Sequence, residues 1–313
     1  MLHEKSTDNK KERINLAAEQ VKIKLKGHES FYIREGWLRK GMKNVSCDSK
    51  FFANEFAVDI LGVGSNMVKS IRYWLQACGL TIERIAQGGK REQILTEGIG
   101  KVIFEKDPYF EDVFSLWLIH YKLASNKELS TAWYLFFNDF DVDEFSKEGL
   151  YEGMSASVNR LTNNGDFSEK SLIDDCNCVI KTYCLDKSED KNPEENTICP
   201  LTELGLVGKF KSKNGKEYFI KKRPSMDKLD KLVVLYIILD NLNNTDSTSI
   251  EKILNDECNV GKVLNMDRNM LNEYLDVLKN EDYIEINRTA GLDRVYVKGT
   301  SKEDVVKAYY EQL

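Results

Sequence analysis

The sequence of 313 residues is poor in several features that define protein classes: it has four prolines and three histidines, and its apolar runs are short. Val233–Leu239 is among the longest of these runs and falls far below the ~20 apolar residues that span a bilayer. The first residues are charged and contain no apolar stretch typical of a secretory signal, so we expect a cytoplasmic protein. Because 42% of the residues are hydrophobic, the composition excludes disorder over most of the chain.

Familiar catalytic and metal-binding motifs are also missing. The sequence has no G-x-x-x-x-G-K-S/T phosphate loop, no G-x-S-x-G elbow and no H-E-x-x-H motif. Three histidines exclude a histidine-rich metal centre, and we predict that His120 is packed in a core. Cys176, Cys178, Cys184 and Cys199 are spaced unlike the C-x2-C pairs of structural zinc sites. We therefore expect reduced, buried thiols and no zinc.

The formal net charge of -6 conceals two basic blocks. Residues 21–106 hold 15 basic and 9 acidic residues, and residues 207–225 hold 7 and 1. Residues 107–206 hold 8 basic and 20 acidic residues, and residues 226–313 hold 11 and 17. The balance excludes a generally basic DNA coat and places DNA contacts in the two basic blocks.

The pattern of elements predicts a mainly α fold of the α+β class, with two winged helix-turn-helix domains flanking a helical middle region. The predicted segments are a polar N-terminal arm at 1–20, an N-terminal winged helix-turn-helix domain at 21–106, a helical acidic middle domain at 107–206, a basic β-hairpin connector at 207–225 and a C-terminal winged helix domain at 226–313.

A helix-turn-helix is predicted in the first basic block. Phe52, Phe56 and Ile60 recur every four residues and predict a helix that ends near Gly62 and Gly64. A second helix is predicted from Ser65 to about Cys78. Its packing face holds Val68, Ile71 and Leu75, and its outward face holds Asn66, Lys69, Ser70 and Tyr73.

A β-hairpin after this helix has the position of a wing. Strands are predicted at Leu80–Ala86 and Gln93–Thr96, around the turn Gln87-Gly88-Gly89-Lys90. Lys69, Arg72, Lys90 and Arg91 favour DNA contact, with Asn66 and Tyr73 beside them. Docking to a protein is the alternative for a unit of this kind.

The second basic block predicts another hairpin, because Asn214-Gly215 is typical of a two-residue turn. Lys211 and Lys213 would neutralise DNA phosphates. Protection of an exposed strand edge by lysines is an equally good interpretation.

The C-terminal block repeats the first pattern. Helices are predicted at Leu232–Leu242, Ser247–Leu254 and Asp267–Asn280, followed by a hairpin at Tyr283–Asn287 and Arg294–Lys298. The outward face of the third helix is mostly acidic, which favours docking to a protein over DNA reading. In the middle region, an acidic run from Asp139 to Glu144 predicts a solvated helix start, and residues 186–196 predict an exposed loop.

Residues 27–41 combine an imidazole, carboxylates and cations. Phosphodiester hydrolysis needs a base or a metal-held water and cations for the developing charge. His28 or Glu35 would serve the first need, and Arg34 and Lys40 the second. A salt-bridged start of the first domain is the alternative interpretation.

That segment resembles a bacterial family of unknown function encoded in phage-defence islands, to which SspB-like nicking subunits of Ssp-type DNA phosphorothioation systems belong. The resemblance also includes Val58–Leu75, Leu95–Gly100 and Cys199–Leu206, and extends over about residues 26–300. It implies action on double-stranded DNA beside a cysteine desulfurase, a sulfur-transfer protein and an ATPase, and a nick in one strand. Magnesium or manganese would be the metal for that nick. A non-enzymatic winged-helix scaffold or a transcriptional regulator is the alternative function.

Overall fold

The computed structural model describes residues 21–86, 89, 91–185, 198–289 and 292–312. Helices predominate over strands, so the mainly helical α+β class is confirmed. The helices are α1 Trp37–Cys47, α2 Ala57–Leu61, α3 Ser65–Ala77, α4 Ile99–Lys106, α5 Val113–Ser125, α6 Thr131–Asn138, α7 Lys147–Thr162, α8 Glu169–Tyr183, α9 Lys231–Asp240, α10 Ile250–Asn255, α11 Val260–Val263, α12 Arg268–Asn280 and α13 Lys302–Glu311. The strands are β1 Thr81–Ile85, β2 Arg91–Leu95, β3 Glu144–Phe145, β4 Val207–Lys211, β5 Glu217–Lys221, β6 Ser247–Ser249, β7 Ile284–Thr289 and β8 Leu292–Val297. Over these residues, no helix combines the length and apolar composition that a membrane crossing requires.

The N-terminal region is built on α1 and α3, which pack together. Gly41 permits this approach, because a Cβ there would lie 2.6 Å from Cδ1 of Leu75. A short turn joins α2 to α3, and Gly62 adopts a φ of +66° there, which favours glycine. β1 and β2 then form an antiparallel hairpin. Both predicted wing strands are therefore present, whereas Lys90 and the neighbouring turn residues 87 and 88 lie outside the described residues.

The helix predicted before α3 does not bury the residues whose spacing predicted it. Phe56 is 56% exposed and Ile60 is 54% exposed, whereas Ala57 and Leu61 are buried. The chain forms a 3₁₀ turn at Phe51–Ala53 and starts α2 only after it. This interruption resets the helical phase, so a four-residue spacing across it does not mark one face.

The outward face predicted for α3 is partly wrong as well. Val68, Ile71 and Leu75 are buried as predicted, but Ser70 and Tyr73 are also buried. Residues 21–34, which include a turn at 27–30, cover them: the Ser70 hydroxyl donates to the Phe31 carbonyl (3.4 Å), and a Cβ at Gly27 would lie 2.4 Å from the Tyr73 ring. The Tyr73 hydroxyl donates to the Leu129 carbonyl (3.0 Å). Tyr73 therefore ties α3 to the middle region.

Helices α5 to α8 form the middle of the molecule. Trp133, Tyr134, Phe136 and Phe137 on α6 are buried and belong to the core. His120 on α5 is 0% exposed, as predicted for a packed residue. The acidic residues 139–144 do not start a helix; they form a loop that enters β3. The loop predicted at residues 186–196 falls outside the described residues.

The basic hairpin is confirmed, with a longer turn than predicted. β4 and β5 pair antiparallel and, with β3, form a sheet of order β3-β5-β4. Ser212 N–H donates to the Lys216 carbonyl (2.8 Å), which leaves a loop of three residues between them. Only Gly215 in this loop has a positive φ, +76°, so the turn is not the two-residue type in which Asn214 would share that conformation.

In the C-terminal region, β6, β8 and β7 form an antiparallel sheet in that order. Ser247–Ser249 was predicted as helix but forms β6, since each of its residues pairs with β8. The α12 face is confirmed, because its inward residues are all buried: Leu271, Tyr274, Leu275 and Leu278.

Helix α13 joins the end of the chain to the middle helices. The Tyr309 ring stacks on Phe114 of α5 at 3.8 Å between centroids. The hydroxyls of Tyr310 and Ser115 lie 2.5 Å apart. The buried hydrophobic residues form one connected cluster from Ile33 to Tyr310. The domain boundaries remain a prediction from composition.

Candidate nucleic-acid interface

The accessible part of α3 is its first two turns. Asn66 and Lys69 are exposed there, and the Lys69 ammonium donates to the Asn66 side-chain oxygen (3.2 Å). From Tyr73 onward this face of α3 is covered by residues 21–34, and Tyr73 is buried. Of the residues predicted to face DNA on α3, these two therefore fit that role and Tyr73 does not.

A cleft of about 450 Å³ lies between α3, the 3₁₀ turn and the β1–β2 hairpin. Arg72 from α3 and Arg91 from β2 both line it and share Glu83 of β1. The Arg72 Nε donates to Glu83 Oε2 (2.9 Å), and Arg91 Nη1 lies 3.5 Å from Glu83 Oε1. The structure thus brings together two arginines that the sequence predicted as DNA contacts, and it places one carboxylate between them.

Two further cations at this cleft were missed by sequence reasoning. Lys50 Nζ lies 3.5 Å and Arg84 Nε lies 3.3 Å from the carboxylate of Glu92. Glu83 and Glu92 thus pair with four cations between them, and Asp48 also lines the cleft. Exposed pairs of this kind are weak, about 0–1 kcal/mol each, so the cations can exchange partners readily. The acidic and basic residues that follow one another along β1 and β2 could have indicated such ion pairs.

Arg34 is held in a different way. Its guanidinium lies 5.6 Å from the Phe31 ring centroid and 5.3 Å from that of Trp37. Its Nε is buried without a hydrogen-bond partner, and no described carboxylate pairs with it. Glu35 and Lys40 are exposed beside it at the start of α1. Arg34 is therefore an oriented cation, and the neighbouring Glu35 has no ion-pair partner among the described residues.

His28 lies in the core and does not fit the role of catalytic base. It is 0% exposed, and its Nε2 donates to Asp175 Oδ1 over 2.6 Å. The imidazole stacks on Trp74 with 5.9 Å between centroids and meets the edge of Trp133 at 5.7 Å. A base for DNA cleavage must reach water at the surface, and this ring does not. No local pattern indicates its partner, which is 147 positions away.

The tip of the β4–β5 hairpin presents Lys211 and Lys213, both exposed. Among the described residues neither has an ion-pair partner, whereas Lys216 lies 3.4 Å from Glu148. Their contact with DNA phosphates therefore stays a prediction.

A second charged cleft, of about 540 Å³, lies between β5, the acidic loop and α10 to α12. Lys221 is half-buried at its wall and donates to the Phe136 carbonyl (2.6 Å) and to that of Phe140. Burial lowers the pKa of Lys221 to about 8. Lys222 and Arg223 continue this wall, and Arg223 pairs with Asp267 (2.7 Å).

In the described ranges, no three or more His, Cys, Asp or Glu side chains are grouped as ligands for a metal ion. Burial raises the pKa of Cys176 and of Cys199 to about 12, which keeps both thiols protonated. The magnesium or manganese that the resemblance implies stays a prediction, because such ions are often held by only one or two carboxylates together with water and phosphate oxygens.

A family model described as a protein of unknown function (DUF4007) matches residues 25–310. The chain belongs to this family. A crystal structure of magnesium ion-bound SspB is similar to the whole fold, with a TM-score of 0.82, 25% identity, and coverage of 94% of this chain and 89% of that one. Another SspB crystal structure has a TM-score of 0.77 at 24% identity, covering 94% and 88% of the two chains. No curated protein sequence gives a match. The resemblance to SspB-like proteins is therefore confirmed.

Proposed function

We propose that this chain is a DNA-binding component of a bacterial DNA phosphorothioation system that acts against phages. The observation that carries the proposal is its likeness to SspB over 94% of the chain. That likeness agrees with the segments by which the sequence resembles nicking subunits of such systems. The second support is the set of cations at α3 and the β1–β2 hairpin.

The order of elements supports a winged helix-turn-helix interpretation of both ends of the chain. In helix-turn-helix proteins the N-terminal residues of the second helix contact bases in the major groove. Asn66 and Lys69 occupy that position on α3, and the β1–β2 hairpin follows as a wing. In the C-terminal region, β6, α10, α12 and the β7–β8 hairpin have the corresponding order. The outward face of α12 carries Glu273 and Asp276, which favours a protein partner for that module.

Duplex affinity should depend on the cations at the first cleft. Replacing Arg72 and Arg91 together with alanine is expected to weaken binding to a short duplex by about tenfold or more at low salt. It should also lower the slope of log K against log salt by about one to two, because fewer phosphates are neutralised. Glu83→Gln should have the opposite effect, since it removes the carboxylate that both arginines share. Fluorescence anisotropy over a salt series measures both quantities.

The matched control is Lys170→Ala, which removes one exposed cation at the start of α8, in the acidic middle region. It should leave the affinity and the slope nearly unchanged. The proposed interface would be contradicted if log K of the wild type did not depend on log salt. It would also be contradicted if the control and the arginine variant lost equal duplex affinity.

Nicking of one strand is the narrower part of the proposal, and Glu35 is its remaining acid–base group. Glu35→Gln should abolish conversion of supercoiled plasmid to open circles in magnesium or manganese, while duplex affinity stays within about twofold. Exposed Glu55 provides a matched substitution, Glu55→Gln, that should keep the activity. Open circles at the wild-type rate from Glu35→Gln would remove this site assignment.

The partners that the proposal implies are sulfur-transfer and ATPase proteins of the same system. Co-purification with them, lost when Glu273 and Asp276 are replaced by lysine, would support docking through α12. DNA binding without nicking and without these partners would favour the alternative, a winged-helix scaffold or transcriptional regulator.

A further inference from the structure

The β4–β5 hairpin has an outward face that carries two aromatic side chains. Phe210 and Tyr218 are directly opposite each other in the strand register. Their rings are nearly parallel, with 5.8 Å between centroids and 21° between planes. Phe210 is 38% exposed, which is unusual for so large an apolar ring.

The other face of the same hairpin accounts for its attachment to the core. Val207 and Phe219 are buried there, and Phe219 stacks on Phe145 of β3 at 5.9 Å. Because side chains alternate along a strand, Phe210 and Tyr218 point away from that core. The aromatic pair therefore has no role in anchoring the sheet to the rest of the molecule.

Lysines surround this aromatic pair. Lys216 lies with its Nζ 5.9 Å from the Tyr218 centroid, and Lys213 is exposed at the tip. Lys222 lies across Gly208, where a Cβ would come within 2.4 Å of the lysine Cε. Glycine at position 208 thus lets a third ammonium group reach the aromatic face.

Aromatic rings beside cations are the chemistry by which proteins bind unpaired nucleotides. Bases stack on rings whatever their sequence, and cations follow the phosphates. The acidic side chains near this face are few: Glu148, which pairs with Lys216, and Glu144 on the neighbouring strand. The charge excess and the exposed rings favour a nucleic-acid strand over an acidic peptide, which would use the cations but not the flat ring faces.

We propose that the outward face of the β4–β5 hairpin binds single-stranded DNA, with bases stacked on Phe210 and Tyr218 and phosphates held by Lys213, Lys216 and Lys222. The inference rests on the proposed DNA function and adds a substrate form to it. A duplex that is opened locally during this function would supply unpaired nucleotides of this kind.

The test compares a labelled oligothymidylate of about ten nucleotides with an abasic strand of the same length. The full chain is expected to bind the thymidylate about tenfold more tightly than the abasic strand, because both carry the same phosphates but only one can stack. The double variant Phe210→Leu and Tyr218→Leu keeps apolar side chains on the strands. It should bind both strands alike, at the level of the abasic strand.

Tyr296→Leu is the matched control, because Tyr296 is a partly exposed strand tyrosine on β8 with Glu285 opposite it. It should keep the preference for thymidylate. Circular dichroism checks the fold of each variant, and Tyr218→Trp should show fluorescence quenching by thymidylate if Tyr218 stacks. Equal binding of the two strands by the wild type, as an acidic-peptide surface would give, overturns the proposal. So does an unchanged preference in the leucine variant.

The two proposals fail in different ways. Loss of duplex binding in the Arg72 and Arg91 variant with retained thymidylate preference would support both. A preference for thymidylate without any duplex binding would leave the hairpin proposal standing and remove the N-terminal interface.

Discussion

Replacing His28 with alanine is expected to lower the free energy of unfolding by about 3–5 kcal/mol, because it removes a large core side chain and takes a hydrogen-bond donor from a buried carboxyl. The imidazole is fully buried, and its Nε2 donates to the equally buried Asp175. Alanine would leave that carboxyl with a single donor, the Lys26 N–H at 2.9 Å. It would also open a cavity beside Trp74 and Trp133, which adds to the loss. Urea denaturation at pH 7 measures the difference.

Two variants separate the pair from its cavity. Burial raises the pKa of Asp175, and the hydrogen bond from His28 opposes that effect. The buried carboxyl therefore destabilises the folded state once His28 is removed. The double variant His28→Ala and Asp175→Ala should lose less than the sum of the single variants. A loss below about 1 kcal/mol for His28→Ala would contradict this account of the pair. If a stably folded His28→Gln variant lost its nicking activity, a catalytic role of His28 would be supported again.

Mild acid is expected to destabilise the protein through His120. Its Nε2 lies 2.8 Å from the Val263 carbonyl, which only accepts, so Nε2 carries the proton and Nδ1 accepts from the Tyr183 hydroxyl at 2.8 Å. Burial lowers the pKa of His120 to about 4 from an ordinary value of 6.5. The unfolded chain therefore takes up a proton between pH 6.5 and 4 that the folded chain refuses. The contribution of His120 to the free energy of unfolding is fully present above pH 6.5. The free energy of unfolding then falls by about 3 kcal/mol as the pH approaches 4.

His120→Gln is the matched variant, because glutamine can donate and accept at similar positions but does not titrate in this range. It should flatten the fall in unfolding free energy between pH 6.5 and 4. Asp240 contributes only at lower pH: burial opposes its ionisation, but Lys122 and Lys302 together hold its pKa at about 2. Equal pH dependence in the wild type and the glutamine variant would show that other groups cause the acid sensitivity.

Sequence periodicity predicted those parts of the fold that depend on local order. The buried face of α12 and the two basic hairpins follow from residue spacing and turn chemistry, and the structure has them. The α3 face failed at Tyr73, because residues 21–34 pack over it and the Leu129 carbonyl binds its hydroxyl. Neither partner is near in the sequence, so no local pattern could indicate them.

The same reason explains the errors in the candidate site. His28 stands among polar residues in the sequence, and only its distant partners Asp175 and Trp133 make it a core residue. The pairing of Arg72 and Arg91 with one carboxylate depends on the hairpin folding back beside α3. Charge counting by segment located the basic blocks, but it could not say which cations are compensated.

The packing of α13 has a consequence for how the chain folds. Tyr309 donates to Asp112 and Tyr310 meets Ser115, contacts that join positions 197 and 195 residues apart. Contacts of such separation close very large loops and form late. During synthesis the face of α5 that holds Phe114 would stay open until the last helix is complete. We therefore expect slow refolding, with an intermediate whose exposed aromatic surface promotes aggregation until α13 docks.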